Sequence, residues 1–197
     1  LLVASSASNI GNIAELVRLA KASSSPMQYT SPLIGSAAHL TVELFKRDAG
    51  IALTHVAYKG AAPAVNDVLA GHVAAVIGGL GSVYAHHRAG KLRGLANTAS
   101  TRSPLAPTIP TVAESGIRDF SIATWSAVLG PAGMPADLAT RIQRDIVRVY
   151  NQPETRDRLI GMGVDIIGNS PEDFGVFLHA EITRYARVIK NAGIKAE

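Results

Sequence analysis

The sequence predicts an α/β fold: a mostly parallel sheet with helices on both faces. Three observations carry this expectation. Short apolar segments alternate with amphipathic ones, as repeated strand–helix–strand units require. Glycine or proline punctuates most of the changes from one to the other. One segment, residues 73–77, is continuously apolar, as a strand buried on both faces must be. The 197 residues are 47% hydrophobic and 17% charged, so the chain can bury a core and is not a disordered polymer.

Residues 1–4 read as the first strand. A helix follows from about Asn12, with Glu15 three residues on as its capping partner. Ile13, Leu16, Val17 and Ala20 fall on one face of it, and residues 23–26 break it. Residues 27–30 form the next strand. The turn Ser31-Pro32-Leu33-Ile34-Gly35-Ser36 leads into a helix that starts near Ser36, carries Leu40, Leu44 and Phe45 on one face, and stops at Gly50. A strand over 52–58 ends at Gly60. The helix over 61–70 has Pro63 in its first turn and Gly71 after it. After the buried strand over 73–77, Gly78-Gly79-Leu80-Gly81-Ser82 opens a helix that ends near Gly90, and residues 92–97 form a strand.

Residues 99–110 are the longest irregular stretch, followed by a short helix over 111–115 and a long strand over 120–129. Pro135 opens a helix with Leu138, Ile142, Ile146, Val149 and Tyr150 on one side. Pro153 opens another, closed by Gly163, and residues 164–167 read as a strand. Ser170-Pro171-Glu172-Asp173 starts the last helix, whose apolar stripe is Phe174, Phe177, Leu178, Ile182, Tyr185 and Ile189. No internal repeat is visible.

Several function classes are excluded by composition. The net charge is +4, but the basic residues do not cluster. Arg141, Arg144 and Arg148 share a helix with Asp137 and Asp145, a solvated face. Aromatic residues are only 5%, so there is little to stack on bases, and nucleic acid is not an expected partner. The absence of cysteine removes disulfides, thiolate metal sites and thiol catalysis. No apolar run reaches the roughly 18 residues of a membrane span. The sequence has no GxSxG elbow, HExxH, Walker A or EF-hand loop, and Gly78-Gly79-Leu80-Gly81 does not match GxGxxG. His86 and His87 are adjacent on a predicted helix, so their side chains diverge and do not chelate one metal. Glu43, Asp67 and Glu114 lie on separate elements with nothing to pair them for acid–base work. No catalytic residue, metal ligand or cofactor is therefore expected.

The chemistry points instead to the strand-to-helix junctions. In a parallel sheet the strand C-termini share one edge, and the following helices present their N-termini there. Three junctions are unusually small: Gly35-Ser36-Ala37-Ala38, Gly60-Ala61-Ala62 and Gly78-Gly79-Leu80-Gly81-Ser82. Small residues admit a ligand close to the backbone, and free N–H groups in a first helical turn favour an anion. The same glycines and alanines also suit plain tight packing of helix on sheet. Ser36 has two compatible roles, a carboxylate donor or simply an N-cap. Lys59 is either a source of positive charge for the site or a solvated strand-end lysine. His39, in the first turn of its helix, reads as a packing or hydrogen-bonding residue.

These segments resemble a known family. Tyr29-Thr30-Ser31 through Gly35-Ser36 to His39-Leu40, then Glu43-Leu44-Phe45 and Ala49-Gly50, is similar to the YxSxGxGSxxHLxxExFxxxAG pattern of tripartite tricarboxylate transporter receptors, the Bug family. His55-Val56-Ala57-Tyr58-Lys59-Gly60, with Ala62-Pro63-Ala64 and Asp67, resembles its HVPYKGxxPAxxD. Ala89-Gly90-Lys91-Leu92-Arg93, Arg102-Ser103, Pro110-Thr111-Val112-Ala113-Glu114-Ser115-Gly116, Trp125, Pro131-Ala132-Gly133, Pro153 with Arg156 and Arg158, and Ala192-Gly193-Ile194-Lys195 continue in register. Two departures stand out. Ala57 replaces the usual Pro, and Ala74 and Gly78-Gly79 stand where the family often has acidic and amide residues.

The resemblance implies a type II periplasmic-binding-protein-like fold of two α/β lobes. It implies a periplasmic receptor, without catalytic activity, that binds a small carboxylate in its cleft and docks on membrane transporter subunits. Ser31, Gly35, Ser36, Ala37, Ala38, Lys59, Gly60, Ala61 and Gly79 would supply this half of the site. Residues 1–122 would be most of the second lobe, and residues 123–197 would return to the first. Leu1 would fall about a third of the way into a family member, leaving the first lobe incomplete. Alternative readings are the effector-binding domain of a transcription regulator, an α/β enzyme, or a truncated receptor that no longer binds.

Overall fold

The computed structural model describes residues 1–194; Lys195, the end of the terminal match, and the two residues after it lie outside the described residues. The chain divides into two compact units, one built from Leu1–Thr124 with residues 188–194, the other from Trp125–Arg187.

In the first unit, five strands make one sheet: β1 (Leu2–Ser5), β2 (Met27–Ser31), β3 (Leu53–Ala57), β4 (Ala75–Ile77) and β5 (Leu92–Ala96). Their order is β3-β2-β4-β1-β5. β2 runs parallel to both β3 and β4, whereas β1 is antiparallel to β4 and β5. The sheet is thus mostly parallel as expected, with one strand reversed. The expectation that every strand ends at the same edge fails for β1, whose beginning lies there instead, with Leu2 opposite Ile77.

The helices between strands are α1 (Ile13–Ala22), α2 (Ala37–Ala49), α3 (Ala61–Leu69) and α4 (Leu80–Arg88). Local chemistry sets their ends. Asn12 accepts from the Glu15 amide at 2.9 Å, and the Glu15 carboxylate reaches back to the Gly11 amide at 2.6 Å, a capping box displaced by one residue. Gly50 ends α2 in the left-handed region at φ 61°, a conformation that costs a residue with a Cβ.

Strand alternation sorts the two faces. Val3, Val76 and Thr30 are register partners, and the first two pack with Ala64, Val65 and Val68 of α3 and Val83 of α4. Tyr29 and Ala75 point the other way, toward α2, where the Tyr29 hydroxyl donates to Glu43. Helices therefore cover both faces. All three residues of β4 are buried, as its apolar run requires. Each large side chain buried in this way contributes about 1.5–3 kcal/mol.

The expected short helix over 111–115 is only a hydrogen-bonded turn, with the Ser115 amide donating to Thr111 and the Gly116 amide to Ala113. The expected strand over 120–129 does not form. Phe120 packs edge-on against Phe45, Ile122 is buried and its N–H donates to Thr98 O at 2.8 Å, but no residue of this stretch joins a strand ladder among the described residues. A strand without a neighbour has no ladder to hold it.

The second unit holds α5 (Ala136–Tyr150), α6 (Pro153–Gly161) and most of α7 (Pro171–Ala192). Ser170 caps α7, accepting from the Asp173 amide at 3.0 Å. The expected strand over 164–167 is absent for the same lack of a partner, and Ile167 is exposed. Leu138, Ile142 and Val149, the expected apolar face of α5, are exposed as well. Trp125 meets Phe174 and Phe177 edge-on at 5.8 and 5.4 Å, and its indole N–H donates to Glu181.

Candidate functional site

The three small junctions follow three adjacent strands. Ser31 pairs with Ala57 at the end of β2 and β3, and Thr30 pairs with Val76 next to the end of β4. The β2–α2, β3–α3 and β4–α4 turns therefore lie side by side at one edge of the sheet. Gly60 N–H donates to Pro32 O at 3.1 Å, which ties the first two turns together.

Each turn delivers a helix N-terminus with amides to spare. The amides of Ala37 and Ala38, of Ala61 and Ala62, and of Leu80 and Gly81 have no hydrogen-bond partner among the described residues. The glycines are there for stated reasons. Gly35 and Gly60 sit at φ 72° and 120°, where a side chain is strained. A Cβ at Gly78 would stand 3.1 Å from Ser82 Oγ and 3.2 Å from Val83, so the turn above β4 is closely packed. Gly79 is exposed and faces open space.

The side chains differ more. Ser36 Oγ donates to Leu33 O at 2.7 Å and accepts the His39 amide at 3.2 Å, the N-cap role, with its proton already committed. Lys59 is exposed and makes no ion pair among the described residues, in keeping with a solvated strand-end lysine. Ser31 is 0% exposed. Its hydroxyl lies 2.7 Å from His55 Nε2, below the surface rather than on it.

Ser31 opens onto a polar network that the sequence did not reveal. The His55 ring stacks on His39 with centroids 4.1 Å apart. His39 Nδ1 accepts the Gly35 amide at 3.0 Å, and its Nε2 lies 3.6 Å from Glu43 Oε1. Glu43 also accepts from Tyr29 at 3.1 Å and from Lys46 at 2.7 Å. Burial opposes ionisation of Glu43, but hydrogen bonds from His39 and Lys46, the Lys46 charge and the Tyr29 hydroxyl outweigh it and hold the carboxyl down at about 2. Burial, then the neighbouring Glu43, pushes the Tyr29 hydroxyl well above its ordinary range. Burial and the nearby His39 lower His55 to about 4, with Lys46 adding to the effect and Glu43 opposing it. His39 and Glu43, four residues apart on one helix, were a readable pair. The partnership with His55 depends on the β2–β3 register and was not.

A shallow depression of about 610 Å³, lined by Ile13, Val17, Asp48, Gly116 and Arg118 among others, lies at the far end of α2, away from the junctions. Among the described residues, no group of three potential ligands could hold a metal ion, and no helix is long and apolar enough to cross a membrane.

Comparison with known proteins agrees with this architecture. The chain is 34% identical over 180 residues to the protein BugT of Bordetella pertussis, covering 91% of this chain and 55% of that protein. It superposes on an R. palustris protein solved with adipate with a TM-score of 0.87 at 32% identity, covering 98% of this chain and 65% of that one. The periplasmic binding protein BugD superposes with a TM-score of 0.81 at 25% identity, over 100% of this chain and 66% of its own. The chain thus spans about half the length of most of the curated relatives it matches, and about two thirds of the solved structures. The family model described as the tripartite tricarboxylate transporter family receptor matches residues 1–194, so the chain belongs to that family of substrate-binding receptors, which are not enzymes.

Proposed function

We propose that this chain forms part of a periplasmic receptor for a small carboxylate, and that the carboxylate is held at the edge of the first unit's sheet by backbone amides. The observation that carries this reading is the row of three helix N-termini on adjacent strands, with six unpartnered amides between them. Helix dipoles and free N–H groups attract an anion without a basic side chain. The adipate found in the 32% identical structure is a ligand of this chemistry. Gly35, Gly60 and Gly79 shape the turns, and Ala37, Ala38 and Ala61 lend their amides. Ser36 fixes the first turn of α2, Ser31 supports it from below, and Lys59 adds a diffuse positive charge.

In this reading residues 1–122 are most of a second lobe, and residues 123–197 return to a first. Ligand binding shifts the receptor's open–closed population, and the closed form delivers its carboxylate to the membrane subunits of a tripartite tricarboxylate transporter.

The amides can be removed one at a time. Ala37, Ala61 and Leu80 are each the first residue of a helix, where proline is tolerated and only the N–H is lost. Ser36 and Gly79, at ψ 157° and 142°, already have the backbone that precedes a proline. Isothermal titration of the intact receptor with adipate should give saturable binding, weakened about tenfold or more in A37P, since a hydrogen bond to a charged group is worth about 1.5–3 kcal/mol. Wild-type affinity in A37P, A61P and L80P alike would refute the amide site.

A further inference from the structure

Beneath the β2–α2 turn, loop 32–36 is held almost wholly by polar contacts. Leu33 and Ile34 at its crest are 55% and 47% exposed, so their side chains do little to anchor it. Besides the serine bonds to Leu33 O within the turn, three contacts fix it: Ser31 to His55 at the loop's start, Gly60 N–H to Pro32 O along it, and Gly35 N–H to His39 Nδ1 at its end. Two of the three end on the stacked imidazoles.

We propose that His39 and His55 are positioning residues of the anion site, a neutral stacked pair that holds loop 32–36 and so aims the Ala37 and Ala38 amides. The proposal rests on the carboxylate reading for its ligand and on the network for its geometry. An amide can donate to His39 Nδ1 only if that nitrogen carries a lone pair. The ring proton of His39 therefore sits on Nε2, facing Glu43 Oε1. Glu43 is the anchor of this tautomer: its carboxylate lies in the network with Tyr29 and Lys46 already bonded to it. Protonating His39 would turn Nδ1 into a donor aimed at the Gly35 N–H and release the end of the loop. Protonating His55 would set a cation against the His39 ring, with Lys46 nearby and only Glu43 to oppose it. Tyr29 and Ser31 from β2, and His39, Glu43 and Lys46 from α2, are the polar groups that face the pair.

The ring nitrogens can be read directly by ¹⁵N NMR in the ligand-free intact protein at pH 8, where an imidazole is neutral and only the tautomer is in question. The expected result is His39 unprotonated at Nδ1 and protonated at Nε2, His55 neutral, and a Gly35 amide that exchanges slowly with solvent. A proton on His39 Nδ1, or a freely exchanging Gly35 amide, overturns the proposal. Adipate titration supplies a second arm. His39→Phe keeps the ring stack but loses the Gly35 acceptor, and adipate affinity should fall about tenfold. His39→Asn restores an acceptor near the Nδ1 position and should recover most of that loss. Unchanged affinity in His39→Phe, or equal loss in both variants, also overturns it. A wild-type protein that binds no adipate would sink the carboxylate reading, and the tautomer measurement would still decide for or against the network.

Discussion

Acid should weaken this fold through one identifiable side chain. His55 titrates at about 4 in the folded protein against an ordinary 6.5, because burial and its neighbours disfavour the charged ring. Between those values the unfolded chain takes up a proton that the folded chain refuses. Stability from this group is therefore complete above about pH 6.5 and is lost as pH falls toward 4. The full separation corresponds to about 3 kcal/mol at 1.36 kcal/mol per pH unit. His55 is only half-buried, so solvent screening lowers the expected total to about 1–2 kcal/mol, of which about 1 kcal/mol is lost between pH 7 and pH 5. Glu43 acts in a different window: its carboxyl, held at about 2 against an ordinary 4.5, loses its contribution only below about pH 4.5. Urea unfolding followed by circular dichroism at pH 7 and pH 5, on the wild type and on H55Q, isolates the effect. Glutamine retains an amide near the Nε2 position but does not titrate, so the difference between the two proteins reads His55 together with its coupling to the stacked His39. The wild type should lose about 1 kcal/mol more than H55Q. Equal losses in the two proteins would refute the assignment of the acid sensitivity to His55.

Two further changes test the parts of the fold that carry the site. Thr30 is 0% exposed, and its hydroxyl is the one buried side-chain polar atom without a partner among the described residues. Replacing it with the near-isosteric valine removes that unsatisfied group, so T30V should stabilise the protein by about 1 kcal/mol in urea unfolding; a clear destabilisation would mean that the hydroxyl has a partner. S36A removes both the cap on His39 N–H and the bond to Leu33 O, and should cost about 1–2 kcal/mol with a visible loosening of loop 32–36 by amide exchange.

The sequence carried the elements whose signals are local. Asn12, Ser36 and Gly50 end helices through bonds and torsions within a few residues, and all three positions were readable. The junction glycines were readable for the same reason. What failed needed knowledge of a distant neighbour. Residues 120–129 and 164–167 have strand-like composition, yet they find no ladder among the described residues, and composition alone does not make a strand. The direction of β1 was hidden because four apolar residues read the same either way. The His39–His55 stack required the register of β2 on β3, which places Tyr29 opposite His55 and so brings that ring under α2.

The same distinction explains why the proposed site depends so little on its side chains. A lone solvated lysine such as Lys59 offers an anion about 0–1 kcal/mol, and salt screens it. A hydrogen bond from a fixed amide to a carboxylate is worth about 1.5–3 kcal/mol, and a helix dipole adds about 0.3–1 kcal/mol more. With two unpartnered amides at each of three helix starts, the backbone outweighs the single cation even if only half the amides engage. The side chains then matter by their smallness at Ala37, Ala61 and Gly79 and by the buried bonds that hold the turns still. Affinity should accordingly respond more to a lost N–H at the start of a helix, or to a lost acceptor on His39, than to the loss of any charge at the rim.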